Sequence, residues 1–264
     1  MDRTLPFVVP LAAALAVAVS GCKKAAAPPV QALYVAAAAD LSDAFGEIGR
    51  RYEKATGQSV VISFGASGLL EKQIAEGAPF DVFASANVTF ADDAIASGSC
   101  LADSKALYAT GQIVLFPAPG APFAAHTLAD LADPRIRKIA IANPAHAPYG
   151  RAAKQALETS GVAAATQAKL VFGENVHEAL QFAQSGNADA ALVARSLVAT
   201  APDTWSPIPP VLYDRIDQAL VVCARGRAGA AAGRKFAAFV ATPESRGILT
   251  QFGFAIPPGP ALRP

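Results

Sequence analysis

Charge is scarce in this chain. Only 16% of its 264 residues are Asp, Glu, Lys or Arg, and 22 bases against 21 acids leave a formal net charge of +1. The missing basic excess argues against a nucleic-acid binder, which carries a basic face or stripe. It also argues against a polybasic membrane-surface protein. Histidine and cysteine are scarcer still, at three residues each. His126, His146 and His177 have no metal-ligand spacing, and no C-x-x-C or Cys/His cluster is present. Neither a metal site nor a cofactor is therefore expected. What the chain has in plenty is apolar: 53% of its residues are hydrophobic. That suffices for the core of one large domain or two modest ones and excludes wholesale disorder. Much of it is alanine, so average hydropathy overstates greasiness.

One segment looks like membrane material. Residues 6–20, PFVVPLAAALAVAVS, follow Arg3 and end at Val19-Ser20-Gly21-Cys22. An apolar run this short, with small residues before a cleavage point, reads as a secretory signal over 1–21 rather than a span. The Val-Ser-Gly-Cys tetrad resembles a bacterial lipobox. That resemblance implies that Cys22 becomes the lipidated first residue and anchors the protein to a membrane in the periplasm or cell envelope. Residues 22–31 are a short linker. Cys100 and Cys223 remain. Export permits a disulfide, but a single pair so far apart in sequence reads as two buried thiols.

From residue 32 strand-like and helix-like segments alternate. LYVAAAA (33–39) is followed by a segment with Phe45, Ile48, Tyr52 and Ala55 at helical spacing and a stop at Gly57. Phe45 and Tyr52 read as core. SVVISF (59–64), a helix over 67–77, DVFASA (81–86) and a helix capped by Asn87 complete a β-α-β-α-β run, hence a parallel sheet. After GQIVLF, near 112–116, the pattern restarts. KIAIAN, a helix over 149–161, AKLVFG, a helix over 175–186 and DAALVA form a second unit. DQALVVCA (217–224) and two closing helices follow. The second unit thus reads as an insertion into the first. Lobe 1 would span 32–112 and 223–264, and lobe 2 113–222, with two linking strands as a hinge and a cleft between the lobes.

Ligands of open α/β sheets bind beyond the carboxyl ends of strands, where helix N-termini offer free N–H groups. Four such junctions stand out. Asp40 and Leu41 follow four alanines. Ser67 and Gly68 lie in Phe64-Gly65-Ala66-Ser67-Gly68. Tyr149 follows two prolines, Pro144 and Pro148. Val176 follows Gly173-Glu174-Asn175. Asp40 or Ser67 could simply cap a helix, and Tyr149 could simply pack. Together, however, the two lobes offer enough neutral donors to surround a small oxyanion.

The segments VAAAADLSDAF, SFGASGLLEKQIAEGAPFDVFASA, IANPAHAPYGRAAKQAL, GENVHEALQFAQSGNADAALV and the terminal FGF carry a resemblance. Over about 32–256 the chain resembles the periplasmic molybdate-binding proteins of ABC transporters. The resemblance implies a two-lobed type II periplasmic-binding-protein fold and a monomer. It also implies a molybdate or tungstate ligand and a membrane permease with its ATPase as partners. It places ligand contacts at Ser67, Tyr149 and Val176. A serine or threonine donor of the family falls on Asp40, and a tyrosine donor falls on Ala194, beside Arg195. A carboxylate about 4 Å from a unit negative charge costs roughly 1 kcal/mol in water and about 4 at an effective dielectric of 20, and a dianion doubles this. Asp40 is therefore expected to turn away and cap its own helix, leaving its backbone N–H for the ligand. Otherwise it pairs with a protonated oxyanion, or the ligand is another anion such as phosphate, sulfate or a phosphonate. A cleft hydrolase is the rival from another class, but Leu69 stands where a nucleophile elbow needs its second glycine. Trp205 and Arg195 read as surface or structural residues.

Overall fold

The computed structural model describes residues 1–2 and 31–258. Most of the expected signal segment, the expected lipidation residue Cys22 and the linker up to residue 30 lie outside the described residues. The first unit runs β1 (Leu33–Ala38), α1 (Ser42–Thr56), β2 (Val60–Gly65), α2 (Ser67–Ala75), β3 (Val82–Ser85), α3 (Val88–Ala96) and β4 (Ala106–Gly111). A short 3₁₀ turn, Ala39–Leu41, joins β1 to α1. The second unit runs β5 (Ile113–Pro117), β6 (Ile139–Ala142), α4 (Pro148–Thr159), α5 (Ala163–Thr166), β7 (Leu170–Gly173), α6 (Val176–Gln184), β8 (Ala190–Ala194) and β9 (Ser206–Pro207). The chain then returns through β10 (Ile216–Val222), α7 (Ala230–Val240) and α8 (Pro243–Gln251).

Local chemistry explains these elements. α1 buries Ala44, Phe45, Ile48, Gly49 and Tyr52 along one face, and Gly57 ends it in the left-handed region at φ +73°. Phe45 and Tyr52 meet Phe236 of α7 edge-on, which ties the two helices over the sheet. Asn87 accepts a hydrogen bond from the Thr89 N–H and starts α3. β1 and β3 are apolar and almost wholly buried because they lie inside the sheet with helices on both faces.

Two five-stranded sheets result, in the orders β2-β1-β3-β10-β4 and β7-β6-β8-β5-β9. The patterns correspond strand for strand. In each sheet three parallel strands are followed by an antiparallel one, β10 or β5, laid down by the passage of chain between lobes. The return to lobe 1 differs from the expected division after residue 222. Ile216–Val222 pairs with β3 and β4, so the crossing falls earlier, over residues 208–215. β4 was not foreseen either. The outward crossing is the single residue Gln112 between strands of different sheets, not one strand shared by both lobes.

Cys100 and Cys223 are joined in a disulfide, which corrects the expectation of two free thiols. They sit opposite each other on antiparallel segments. The Leu101 N–H donates to the Val222 carbonyl, and the Ala224 N–H to the Ser99 carbonyl. The pair lies 123 residues apart because all of lobe 2 is inserted between its members. Sequence distance was therefore a poor guide. Among the described residues no helix is long and apolar enough to cross a membrane.

Candidate functional site

The carboxyl ends of β1 and β2 face the starts of α4 and α6 across the cleft. Ala38, Ala39, Asp40, Gly65, Ala66, Ser67 and Ala86 from lobe 1 enclose a cavity with Ala147, Pro148, Tyr149, Asn175 and Val176 from lobe 2. It leaves only about 10 Å³ to the centre of a water-sized sphere. Organic ligand pockets usually measure about 300–1,000 Å³, so this one suits a compact ligand. The alanines after β1 keep the wall thin where larger side chains would fill the cavity. The Gly68 N–H donates to the His146 carbonyl at 3.0 Å, which closes one lobe upon the other.

The neutral donors arise from local structure. Asn175 caps α6 by accepting from the His177 and Glu178 N–H groups. Val176, the first residue of α6, keeps an N–H with no acceptor inside the helix. Ser67 is the first residue of α2 rather than its cap. The cap position is Ala66, and it makes no side-chain bond. The buried Ser67 hydroxyl accepts from the Ala86 N–H at 3.0 Å. That bond uses a lone pair and leaves the hydroxyl proton for the cavity.

Asp40 departs from expectation. Its carboxylate caps nothing. Oδ2 instead accepts from the Tyr149 hydroxyl at 2.9 Å and from Gln218 Nε2 at 2.5 Å, while Oδ1 has no partner. The residue is 1% exposed. The reason is geometric: the 3₁₀ turn carries the side chain toward β10 and α4 rather than along its own helix. Burial raises the Asp40 pKa to about 6, against the lowering effect of the hydrogen bonds from Gln218, Tyr149 and its own backbone N–H. The same burial, with the Asp40 charge beside them, holds the Tyr149 and Tyr108 phenols well above their ordinary range. Tyr149 was read as a ligand donor. Here its proton is committed to Asp40.

The structure brings Asp40, Ser67, Tyr149 and Val176 to one cavity. Leu41, Gly68 and Ala194 do not line it. Leu41 is packed in the core, Gly68 spends its N–H across the cleft, and Ala194 is a buried strand end paired with Ile113. Arg195 donates from Nη1 to Gln112 Oε1 and lies over the Trp205 ring, while Trp205 donates to the Val198 carbonyl. Both are structural. Gln218 was missed, although a lone glutamine within the apolar run DQALVV was a signal for it. Ser196, whose hydroxyl donates to the Asp40 carbonyl at 2.7 Å, had no such signal. Among the described residues no group of three His, Cys, Asp or Glu side chains could hold a metal ion.

Residues 33–255 match the family model of bacterial extracellular solute-binding proteins. The molybdate-binding protein ModA of Azotobacter vinelandii is 34% identical over 248 residues, covering 92% of this chain and 97% of that one. ModA of Rhodobacter capsulatus is 35% identical over 83% of this chain and 86% of its own. The solved periplasmic molybdate-binding protein of Azotobacter vinelandii superposes with a TM-score of 0.79 at 30% identity, over 85% of this chain and 99% of that one.

Proposed function

The chain belongs to the bacterial extracellular solute-binding proteins and, within them, to the ModA family, and from that premise we propose that it captures molybdate or tungstate between its lobes. The two-lobed fold expected from the sequence is the fold of this family. One observation carries the ligand reading: neutral donors from both lobes meet at one small cavity. Ser67 supplies a hydroxyl and Val176 a helix-start N–H. Backbone and hydroxyl donors suit an oxyanion because a helix N-terminus adds partial positive charge without a counter-ion. The cavity size favours a bare tetrahedral anion over a phosphonate with an organic tail.

In this reading the loaded protein delivers its anion to an ABC permease and its ATPase. Cys22 tethers it to the membrane as a monomeric lipoprotein, and the protein carries out no catalysis. The side chains agree with a binder. The Ser67 hydroxyl is bonded to the Ala86 N–H and to no histidine side chain. His146 Nε2 is engaged with the Glu174 carbonyl and His126 with Ser206. Calorimetry and thermal melting with molybdate, tungstate, sulfate and phosphate test the reading. Molybdate and tungstate should bind and raise Tm, as any ligand selective for the folded state must. No binding of either would overturn it.

A further inference from the structure

The two oxygens of Asp40 are unequal. Oδ2 accepts from the Tyr149 hydroxyl and Gln218 Nε2. Oδ1, in the same buried carboxyl group, has no hydrogen-bond partner from another residue. A carboxylate oxygen offers two lone pairs, so Oδ2 is filled and Oδ1 is the place left for a proton. Neighbouring groups supply no cation instead. Tyr108 from β4, Tyr149 from α4, Gln218 from β10 and Ser196 are neutral. Arg195, at the start of the turn packed against residues 39–41, is turned to Gln112. Arg151 on α4 lies over the Phe90 ring. On α6, His177 and Glu178 line a separate hollow with Glu174 and Gln181. His146 binds the Glu174 carbonyl, and Asp43 on α1 is exposed.

We propose that the cleft binds a tetrahedral oxyanion together with one proton, shared between Asp40 Oδ1 and a ligand oxygen, so that Asp40 selects ligands by proton content. The inference rests on the oxyanion reading above. For a dianion without its own proton, such as molybdate, the proton comes from solvent. An O–H bond forms at Oδ1, nothing breaks in the ligand, and the neutral carboxyl donates to the anion. Hydrogen phosphate brings its own proton and donates it to the ionised Oδ1. Both complexes hold the same proton count, and in both the like-charge contact becomes a hydrogen bond. Burial has already moved Asp40 to about 6, so taking up the proton weakens binding only about tenfold for each pH unit above that value.

The test is calorimetry of the full-length chain with molybdate at pH 7.5, in two buffers of different ionisation enthalpy, with Kd followed from pH 6 to 8.5. The wild type should take up close to one proton per molybdate, and its Kd should weaken about tenfold per unit at the alkaline end. Hydrogen phosphate, where it binds, should cause no net uptake. Asp40→Asn and Asp40→Ser, each checked for folding by its melting curve, should show no uptake and a flat profile. His146→Gln should keep the uptake. Molybdate binding by the wild type without uptake overturns the proposal and leaves the proposed function standing. So does uptake that survives in Asp40→Asn. No molybdate or tungstate binding by the wild type or either Asp40 variant overturns the oxyanion reading itself.

Discussion

Two aspartates are buried at opposite ends of the first-lobe sheet, Asp81 just before β3 and Asp40 just after β1. Backbone wraps Asp81. Its Oδ2 accepts from the Tyr34 N–H at 2.8 Å, and its Oδ1 from the Ala228 and Gly229 N–H groups at 2.7 and 2.9 Å. Gly226 passes so close that a Cβ there would overlap the Asp81 carboxyl. Asp40 is held by two side chains, one from each lobe, and one of its oxygens is buried without a partner. Every partner of Asp81 lies in lobe 1, so its environment is fixed by folding alone. Half of the Asp40 environment arrives with α4, when the lobes meet. A carboxylate satisfied by backbone belongs to the fold, whereas one satisfied across a cleft, with one oxygen unpartnered, depends on how the lobes meet.

The largest effect should come from removing the anchored member. Asp81→Ala strands three backbone donors at the edge of the core, each worth about 1–3 kcal/mol when left unpaired. Stability should fall by about 3–6 kcal/mol in urea denaturation, with molybdate affinity of the remaining folded protein unchanged. A loss below about 1 kcal/mol would erase the contrast.

Asp40→Asn should act in the opposite direction. The folded pKa of about 6 lies above the ordinary aspartate value of 3.8. The folded state therefore binds more protons between these values, and wild-type stability falls as pH rises through that window. Above it the cost levels off at about 3 kcal/mol. The asparagine variant should be more stable than wild type by about this amount at pH 8, and close to equal at pH 4. Denaturation curves at pH 4, 6 and 8 decide it, and parallel curves for the two proteins would refute it.

A smaller change separates the side-chain partners from the burial. Tyr149→Phe removes one donor to Oδ2 and leaves the packing. Losing a charge-assisted bond should lift the Asp40 titration further, by about one pH unit. The upper end of the window in which stability changes with pH should move up by the same amount, its lower end being fixed by the unfolded chain. An unmoved window would mean that Gln218 alone holds the carboxylate.

Much of this contrast was legible in the sequence, and its polarity was not. The alternation of strands and helices, the cap at Asn87, the stop at Gly57 and the meeting of Asp40, Ser67, Tyr149 and Val176 all follow from local pattern and from the rule that ligands bind at strand ends. The Cys100–Cys223 bridge and the early return at Ile216 depend on how an insertion brings distant strands side by side, which local periodicity does not encode. The direction of the Asp40 carboxylate was misjudged for a similar reason. A capping role weighs only the residues that follow in sequence, whereas its partners Tyr149 and Gln218 lie 109 and 178 residues away.

The smallest effect tests whether the anion sits at the open end at all. Ser67 holds the Ala86 N–H and keeps its own proton for the cavity. Ser67→Ala removes one neutral donor to the anion and should weaken molybdate binding about five- to tenfold, the size of one ordinary hydrogen bond. Orphaning the Ala86 N–H should also cost about 1 kcal/mol of stability. At the anchored end, Arg227 lies over the Tyr34 ring, whose N–H serves Asp81. Arg227→Ala should leave molybdate affinity unchanged. If both variants weaken binding equally, affinity reflects the stability of the whole lobe rather than contact at Ser67. If only Ser67→Ala does, the anion lies where β2 ends and α2 begins, in the cavity that Asp40 also lines.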